Sequence, residues 1–238
     1  GATKARLSNL RVDGNYSNNN DISTGYDGVE IRVGGVQNVV EDVEVYNFNA
    51  HAFEVSGSYC VYRNLRAIGP TPTPTYPPTT GGSASRNYGG VYGFLVAGTS
   101  VSDNNTWENL YATGCRSAGI YVGGTDCMVL YPQVDNCHLG YYPDDGTGVY
   151  PGSSGGGQLA LTITTAAGGG SQIPTRITLV GPKVSGGAVG TSAGIEIGAG
   201  DSITVFDPQC IGVPNGGISI NSATRVKVIG GGVINSST

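Results

Sequence analysis

Gly28-Val-Glu-Ile31 is the first of seven copies of one four-residue strand pattern in this chain. The other copies are Ala52-Phe-Glu-Val55, Gly93-Phe-Leu-Val96, Gly119-Ile-Tyr-Val122, Gly140-Tyr-Tyr-Pro143, Gly194-Ile-Glu-Ile197 and Gly217-Ile-Ser-Ile220. They follow at intervals of 24, 41, 26, 21, 54 and 23 residues, so most intervals fall near one repeat unit. A repeat of this length is typical of solenoids, whose units bury their apolar side only by stacking on one another.

Two further series of short words recur along the chain. One consists of apolar positions that mostly lie 14 to 16 residues beyond the first pattern: Leu10, Val43, Leu65, Leu110, Val134, Val184, Cys210 and Val233. The other consists of Tyr59-Cys-Val-Tyr62, Asp126-Cys-Met-Val129 and Ser202-Ile-Thr-Val205. Because Gly, Asn, Asp and Ser turns separate these words, each unit is predicted to hold three short alternating strands.

Alternation predicts how such units pack. It sends Val29 and Ile31 to one side of a strand and Glu30 to the other. Three one-sided strands per unit close into a tube, and successive turns then pair in parallel. This arrangement resembles the right-handed, single-stranded parallel β-helix of the pectate-lyase-like superfamily, over about Leu7 to Val233. We therefore expect an all-β solenoid of about nine coils, one of them through residues 159–163. An antiparallel sandwich also has many short strands, but it does not explain why three short sequence patterns repeat in phase.

The composition agrees with this fold class and limits the partners. Glycine supplies 41 of 238 residues, which suits tight corners that need a positive φ. The formal net charge of −5 argues against a nucleic-acid or anionic-membrane partner. No apolar stretch is long enough to insert into a membrane. We expect residues 1–238 to form a single domain, a fragment of a longer chain or a solenoid whose ends are covered by partners.

The five cysteines are expected to be buried free thiols. Their number is odd, and no Cys-x-x-Cys pair occurs. Cys60 and Cys127 are predicted to fill the same inward slot on different coils. A bridge between Cys115 and Cys137 is the alternative that spacing leaves open. No metal site and no cofactor are predicted.

Three insertions interrupt the repeat at residues 14–27, 70–91 and 143–157. The first two precede a copy of the first strand pattern, and the third follows one. Loops at both borders of one sheet wall a groove over it, and repeat proteins concentrate insertions on their binding face. Tolerated solvent loops are the alternative.

The outward positions of the first pattern are predicted to carry the function. They are Glu30, Glu54, Leu95, Tyr121, Tyr142, Glu196 and Ser219. Carboxylates bind sugar hydroxyls and aromatic rings pack on the C–H faces of sugars, so this mixture suits a polysaccharide. The predicted substrate-binding residues are Arg32, His51, Tyr121, Tyr142 and Asp144. The alternative is that stacked tyrosines only stabilise one another across coils.

Glu30 and Glu54 are the predicted catalytic pair. On adjacent coils their Cβ atoms are expected to lie about 5 Å apart. That separation is near the value for a retaining glycosidase, where one carboxyl is the acid and the other the nucleophile. Arg32 relieving the repulsion between two carboxylates is the structural alternative. His51 is a candidate proton shuttle, against the alternative of a solvated turn histidine.

Residues 38–56 resemble the repeat pattern of mannuronan C5-epimerases. In that family the strand matched by Phe53-Glu-Val-Ser56 reads Phe-Asp-Pro-His and carries a catalytic Asp and His. Glu54 matches the acid by position, whereas Ser56 stands where the family has histidine. Of the motifs of polygalacturonases, only Asp144-Asp145 is present. The low charge and glycine-rich coils also resemble the receptor-binding spikes of bacterial viruses, many of which are trimeric.

Two hypotheses follow for the function. The first is an enzyme that cleaves or modifies a polysaccharide, as a hydrolase, lyase or epimerase. The second is a non-catalytic receptor-binding or structural module of a tailspike or surface fibre, with a homotrimer or flanking domains covering its ends. Both predict an extracellular or virion-surface location.

Overall fold

The computed structural model of the chain describes residues 3–15, 29–48, 51–69, 92–96, 102–115, 118–137, 158–163, 173–186, 191–213 and 216–234. This described part is all β, with 19 strands and no helix. The strands are β1 (Arg6–Asp13), β2 (Val29–Val36), β3 (Val39–Tyr46), β4 (His51–Ser58), β5 (Val61–Ile68), β6 (Tyr92–Val96), β7 (Thr106–Thr113), β8 (Ile120–Val122), β9 (Met128–Leu130), β10 (Gln133–Asp135), β11 (Gln158–Ile163), β12 (Thr178–Val180), β13 (Lys183–Ser185), β14 (Thr191–Asp201), β15 (Thr204–Phe206), β16 (Gln209–Ile211), β17 (Ile218–Thr224), β18 (Lys227–Ile229) and β19 (Gly232–Ile234).

Strands from successive turns of the chain pair in parallel, and they form two sheets. One sheet has seven strands in the order β2-β4-β6-β8-β11-β14-β17, and the other has 12. Each strand of the seven-stranded sheet is followed along the chain by one or two strands of the twelve-stranded sheet. The chain is therefore a parallel β-helix, which confirms the predicted fold class.

The twelve-stranded sheet has eight levels in the described part, where a level is one turn of the coil. The first four levels are the eight-residue strands β1, β3, β5 and β7. Each later level is a pair of three-residue strands: β9 with β10, β12 with β13, β15 with β16, and β18 with β19. Both arrangements meet at β7, because Trp107 pairs with Val129 of β9 and Ala112 pairs with Val134 of β10.

A left-handed residue bends each level of this sheet. In the first four levels it is Asn9, Asp42, Asn64 or Asn109, with φ between +52° and +55°. Asn64 Nδ2 donates to Asp42 Oδ1 at 2.9 Å, and Asn109 Nδ2 donates to Asn64 Oδ1 at 3.1 Å. Because Asn and Asp tolerate this backbone region better than most residues, their recurrence in the turns sets the corner.

The core lies between the two sheets and is built of stacked like residues. Phe53 and Phe94 stack at 4.9 Å between ring centroids with an interplanar angle of 6°. On the opposite sheet, Tyr62 and Trp107 pack at 5.1 Å with a tilt of 53°. All four side chains are fully buried. Each coil thus buries its apolar side only because its neighbours stack on it.

One of the predicted apolar series is wrong in its alignment. Leu10, Val43, Leu65 and Leu110 stack as expected. Val134, however, pairs with Ala112 and not with Leu110. The three-residue strands are thus shifted by two residues relative to the predicted alignment, which sets Val134 against Leu110. A shift of two residues keeps every side chain on its own face, so alternation does not detect it.

The strand assignment around residues 140–163 also differs from the prediction. The strand between β8 and β14 is β11, not the copy at 140–143, which lies outside the described residues. Residues 159–163 therefore belong to the coil that continues into β12 and β13, and they do not add a further coil. The insertions at 70–91 and 143–157 lie outside the described residues, as does 14–27 beyond Asn15.

All five cysteines are buried and free, which confirms the thiol prediction over the bridge. Cys60 and Cys127 lie on one ladder with Asn105 between them, since Thr106 N donates to Cys60 O and Met128 N to Asn105 O. Burial, with smaller contributions from the neighbouring Cys137 thiol, raises the pKa of Cys115. These cysteines therefore act as small apolar core residues.

Candidate functional site

The outward face of the seven-stranded sheet carries one continuous ladder of residues, here termed the outward row. Its members are register partners from strand to strand: Arg32, Glu54, Leu95, Tyr121, Thr162, Glu196 and Ser219. The predicted neighbours Glu54, Leu95 and Tyr121 are confirmed as consecutive. Thr162 occupies the position expected for Tyr142. Both Tyr142 and Asp144 lie outside the described residues.

The predicted pairing of Glu30 with Glu54 is wrong. Arg32 is the register partner of Glu54, and Val33 is the partner of Val55. The offset between β2 and β4 is thus 22 residues, the same offset that joins Val39 to Val61 in the other sheet. Aligning the two strand patterns on their first residues, Gly28 and Ala52, gives 24, a two-residue slip that leaves both faces unchanged. Glu30 lies in β2, and its side chain is outside the described part.

Arg32 and Glu54 form an ion pair on this face. Arg32 Nη2 lies 2.8 Å from Glu54 Oε2. The arginine side chain is 66% exposed, whereas the glutamate side chain is 15% exposed. The carboxylate is therefore largely covered and held, while the guanidinium retains donors that face solvent.

Three rings lie on β4, β6 and β8, and two pairs of them are in contact. His51 and Tyr92 are register partners at the first positions of β4 and β6. Their ring centroids are 5.1 Å apart with a tilt of 46°. Tyr92 meets Tyr121 edge to face at 6.0 Å and 85°. His51 is thus packed against an aromatic ring and is not a solvated turn residue.

Tyr121 and Leu95 differ from the expectation of an open strip. Both occupy outward positions, yet they are only 9% and 6% exposed. Neither belongs to the inner core cluster, and Tyr121 packs against the Tyr92 ring. Alternation predicts the direction of a side chain correctly here but not how much of it reaches solvent.

A second polar group lies toward the other end of the row. Asn221 Nδ2 donates to Glu196 Oε1 at 2.6 Å, and Ser219 Oγ donates to Asn221 Oδ1 at 3.4 Å. Glu196 and Ser219 are register partners on β14 and β17. Four strand spacings separate β4 from β14, about 19 Å. Glu54 and Glu196 are thus too far apart to act on one bond.

The twelve-stranded sheet carries a polar cluster that the sequence analysis missed. Gln133 Nε2 donates to Asp135 Oδ2 at 2.7 Å, and Ser185 Oγ donates to Asp135 Oδ1. Arg66 lies over the Tyr111 ring at 5.3 Å. Burial raises the pKa of Tyr111, and Asp135 adds to the shift. The alternation rule, applied to the apolar series that contains Leu110, Val134 and Val184, would have found these outward residues.

Clusters of metal ligands and membrane-spanning helices are both absent from the described residues. Within the described ranges, no group of three or more His, Cys, Asp or Glu side chains is arranged to hold a metal ion. None of the described segments is a helix long and apolar enough to cross a membrane.

Comparisons with known proteins return one structural likeness. No family model matches the sequence, and no curated protein matches it. The fold is similar to the crystal structure of the tailspike protein 2 enzymatically active domain of Bacteriophage CBA120, with a TM-score of 0.43 and 11% identity. The match covers 98% of this chain and 39% of that chain. The present chain thus spans about two fifths of the length of that protein.

Proposed function

We propose that this chain binds a polysaccharide along the outward row. The observation that supports this most is one ion pair grouped with three rings on adjacent strands: Arg32, Glu54, His51, Tyr92 and Tyr121. Guanidinium and carboxylate groups form directional, charge-assisted hydrogen bonds, which suits hydroxyl-rich ligands. Tyrosine adds an apolar ring with a polar tip.

The shape of the sheet supports a polymeric ligand over a small one. The row adds one side chain about every 4.8 Å along the coil axis. Solenoids use such extended surfaces to bind long partners. Glu196, Ser219 and Asn221 continue the polar character beyond the ring cluster. Polysaccharide binding on this face also implies an extracellular or virion-surface location.

For the catalytic form of this proposal, Glu54 is the candidate proton-transfer group, with Arg32 holding its carboxylate. A retaining hydrolase needs a second carboxyl about 5 Å away, and the register partner of Glu54 is an arginine. This register favours the non-catalytic module of a tailspike or surface fibre as the second candidate. Binding is therefore the conclusion, and hydrolase, lyase or epimerase turnover is a separate arm of the test.

The test measures retention of neutral and acidic polysaccharides together with product release. We expect Arg32→Gln and Glu54→Gln to weaken retention at least about tenfold. Glu44→Gln is the matched control, because Glu44 makes an ion pair with Arg11 at 2.8 Å on the other sheet. Unchanged retention in both site variants contradicts the proposal. If the wild-type chain releases product and Glu54→Gln abolishes this release while Glu44→Gln does not, the chain is an enzyme. If the chain retains polysaccharide and releases no product, it is a binding module.

A further inference from the structure

One outward ladder of the twelve-stranded sheet changes character halfway along the coil. Its first four levels carry polar or charged side chains: Ser8, Glu41, Arg63 and Glu108. Its last four levels carry large apolar side chains: Leu130, Val180, Phe206 and Ile229. These last four residues are termed the apolar ridge. They are consecutive register partners, so they form one line along the coil.

The apolar ridge points away from the core. The residues directly before its first three members, Val129, Leu179 and Val205, are inward and fully buried. Phe206 and Ile229 are 38% and 48% exposed. Met128 and Tyr131, beside the ridge on the fifth level, are 45% and 58% exposed. Apolar side chains are thus exposed on the fifth, seventh and eighth levels, and Leu130 and Val180 are half-buried.

The end of the coil does not explain this exposure. In the last level even the inward Val228 is 40% exposed, so Ile229 alone carries little weight. Phe206, however, lies one level inside the end, with β18 paired to its strand. Met128 and Tyr131 lie three levels inside it. Their exposure belongs to the outward face itself.

We propose that the apolar ridge is the surface by which copies of this chain associate side by side, with their coil axes parallel. The exposed parts of Met128, Tyr131 and Phe206, leaving out the last level, amount to roughly 300 Å² on typical side-chain areas. A stable interface buries about 800 Å² per partner, with an apolar core and a polar rim. The ridge therefore supplies the core of a standard interface, and its polar borders supply the rim.

The charges beside the ridge favour copies in the same orientation. Lys227 borders the ridge on one side, and Asp207 borders it on the other, one level away. Both are exposed. Rotation about an axis parallel to the coil brings the lysine side of one copy against the aspartate side of the next. Antiparallel packing instead sets Lys227 against the level of Met128 and leaves its charge without a partner.

A polysaccharide is a poorer occupant of this surface. Leu130, Val180 and Ile229 have no polar group to pair with hydroxyls, and burying unpaired hydroxyls costs free energy. The outward row on the other sheet has those groups. The inference is therefore independent of the proposed function, and the two predict loss of different properties in different variants.

Sedimentation equilibrium of the full chain tests the inference. At up to about 100 µM, where micromolar self-association is populated, we expect a mass above that of one chain. Phe206→Lys is expected to weaken association at least about tenfold, because it puts a charge in the apolar core of the interface. Ser8→Lys is the matched control on the polar half of the same ladder, and it should leave the mass unchanged.

A charge exchange keeps the test decisive if Phe206→Lys does not fold. Lys227→Asp is expected to weaken association, and adding Asp207→Lys is expected to restore it. A wild-type chain that stays monomeric overturns the inference. So does an oligomer that is unaffected by a folded Phe206→Lys, or a Phe206→Lys variant that loses polysaccharide retention at unchanged mass.

Discussion

Arg32 and Glu54 are register partners on neighbouring parallel strands, and their side chains meet at 2.8 Å between Nη2 and Oε2. The pair occupies the first two positions of the outward row. Its glutamate is largely covered and its arginine is largely exposed. An ion pair with an exposed guanidinium contributes little to folding, and under the proposed function it presents charge to a ligand.

The first prediction separates these two roles by a double-mutant cycle with Arg32→Ala and Glu54→Ala. The coupling in the free energy of unfolding is expected to be at most about 1 kcal/mol, because solvent screens the exposed guanidinium. Urea denaturation of the four proteins measures it. A coupling of about 3 kcal/mol or more would instead assign the pair to the stability of the fold.

The second prediction concerns the stacked rings of the core. Phe94→Ala is expected to lower the free energy of unfolding by about 3–5 kcal/mol, because the cavity removes the partner of Phe53 in the middle of the coil. Phe94→Leu is the control and is expected to cost less, since it keeps most of the volume. Equal costs for the two variants, measured by denaturant unfolding, would show that the stack does not support the coil.

The third prediction concerns a corner occupied by an unsuitable residue. Tyr59 has a φ of +56° and is 59% exposed. Tyr59→Asn is expected to raise the free energy of unfolding by about 1 kcal/mol, because asparagine adopts the left-handed region more readily. Tyr59→Ala keeps the Cβ atom in the same backbone conformation and is expected to give no gain. If alanine stabilises as much as asparagine, backbone strain is not the cause.

The fourth prediction concerns acid stability. Hydrogen bonds from Arg225 and Thr224 lower the pKa of Asp201 to about 2, from its usual value of 3.8. Since the folded-state pKa is the lower one, the stabilisation is complete above about pH 4 and is lost as the pH falls to about 2. Asp201→Asn is therefore expected to make stability fall less steeply with acid in this window.

Arg225→Gln provides the second arm of that test, because it removes the main cause of the shift while keeping the carboxyl. Thermal unfolding between pH 2 and pH 5 measures both variants. Both profiles are expected to be shallower than that of the wild type. Three parallel profiles would mean that Asp201 has the same pKa in the folded and unfolded chain.

Much of the fold could be predicted from alternation and period. Ile195 and Ile197 alternate with Glu196, and the next coil repeats the pattern at Ile218 and Ile220. These residues are register partners in the structure. Parallel stacking requires like positions to meet, and the sequence carries those positions explicitly.

The register at the candidate site could not be predicted in the same way. Glu30 and Arg32 lie on the same face of β2, so both alignments satisfy the alternation rule. The deciding factor is the equal length of consecutive coils, which places Val33 beside Val55. Nor does alternation predict how much of a side chain is covered, since Tyr121 is outward yet buried and packs against Tyr92.

A crystal structure of the chain with a retained oligosaccharide tests the central claim most directly. We predict the glycan on the seven-stranded sheet, with hydroxyls hydrogen-bonded to Arg32 and Glu54 and a sugar face against Tyr92. A glycan that lies instead on the twelve-stranded sheet, or that touches none of these three side chains, would contradict the account.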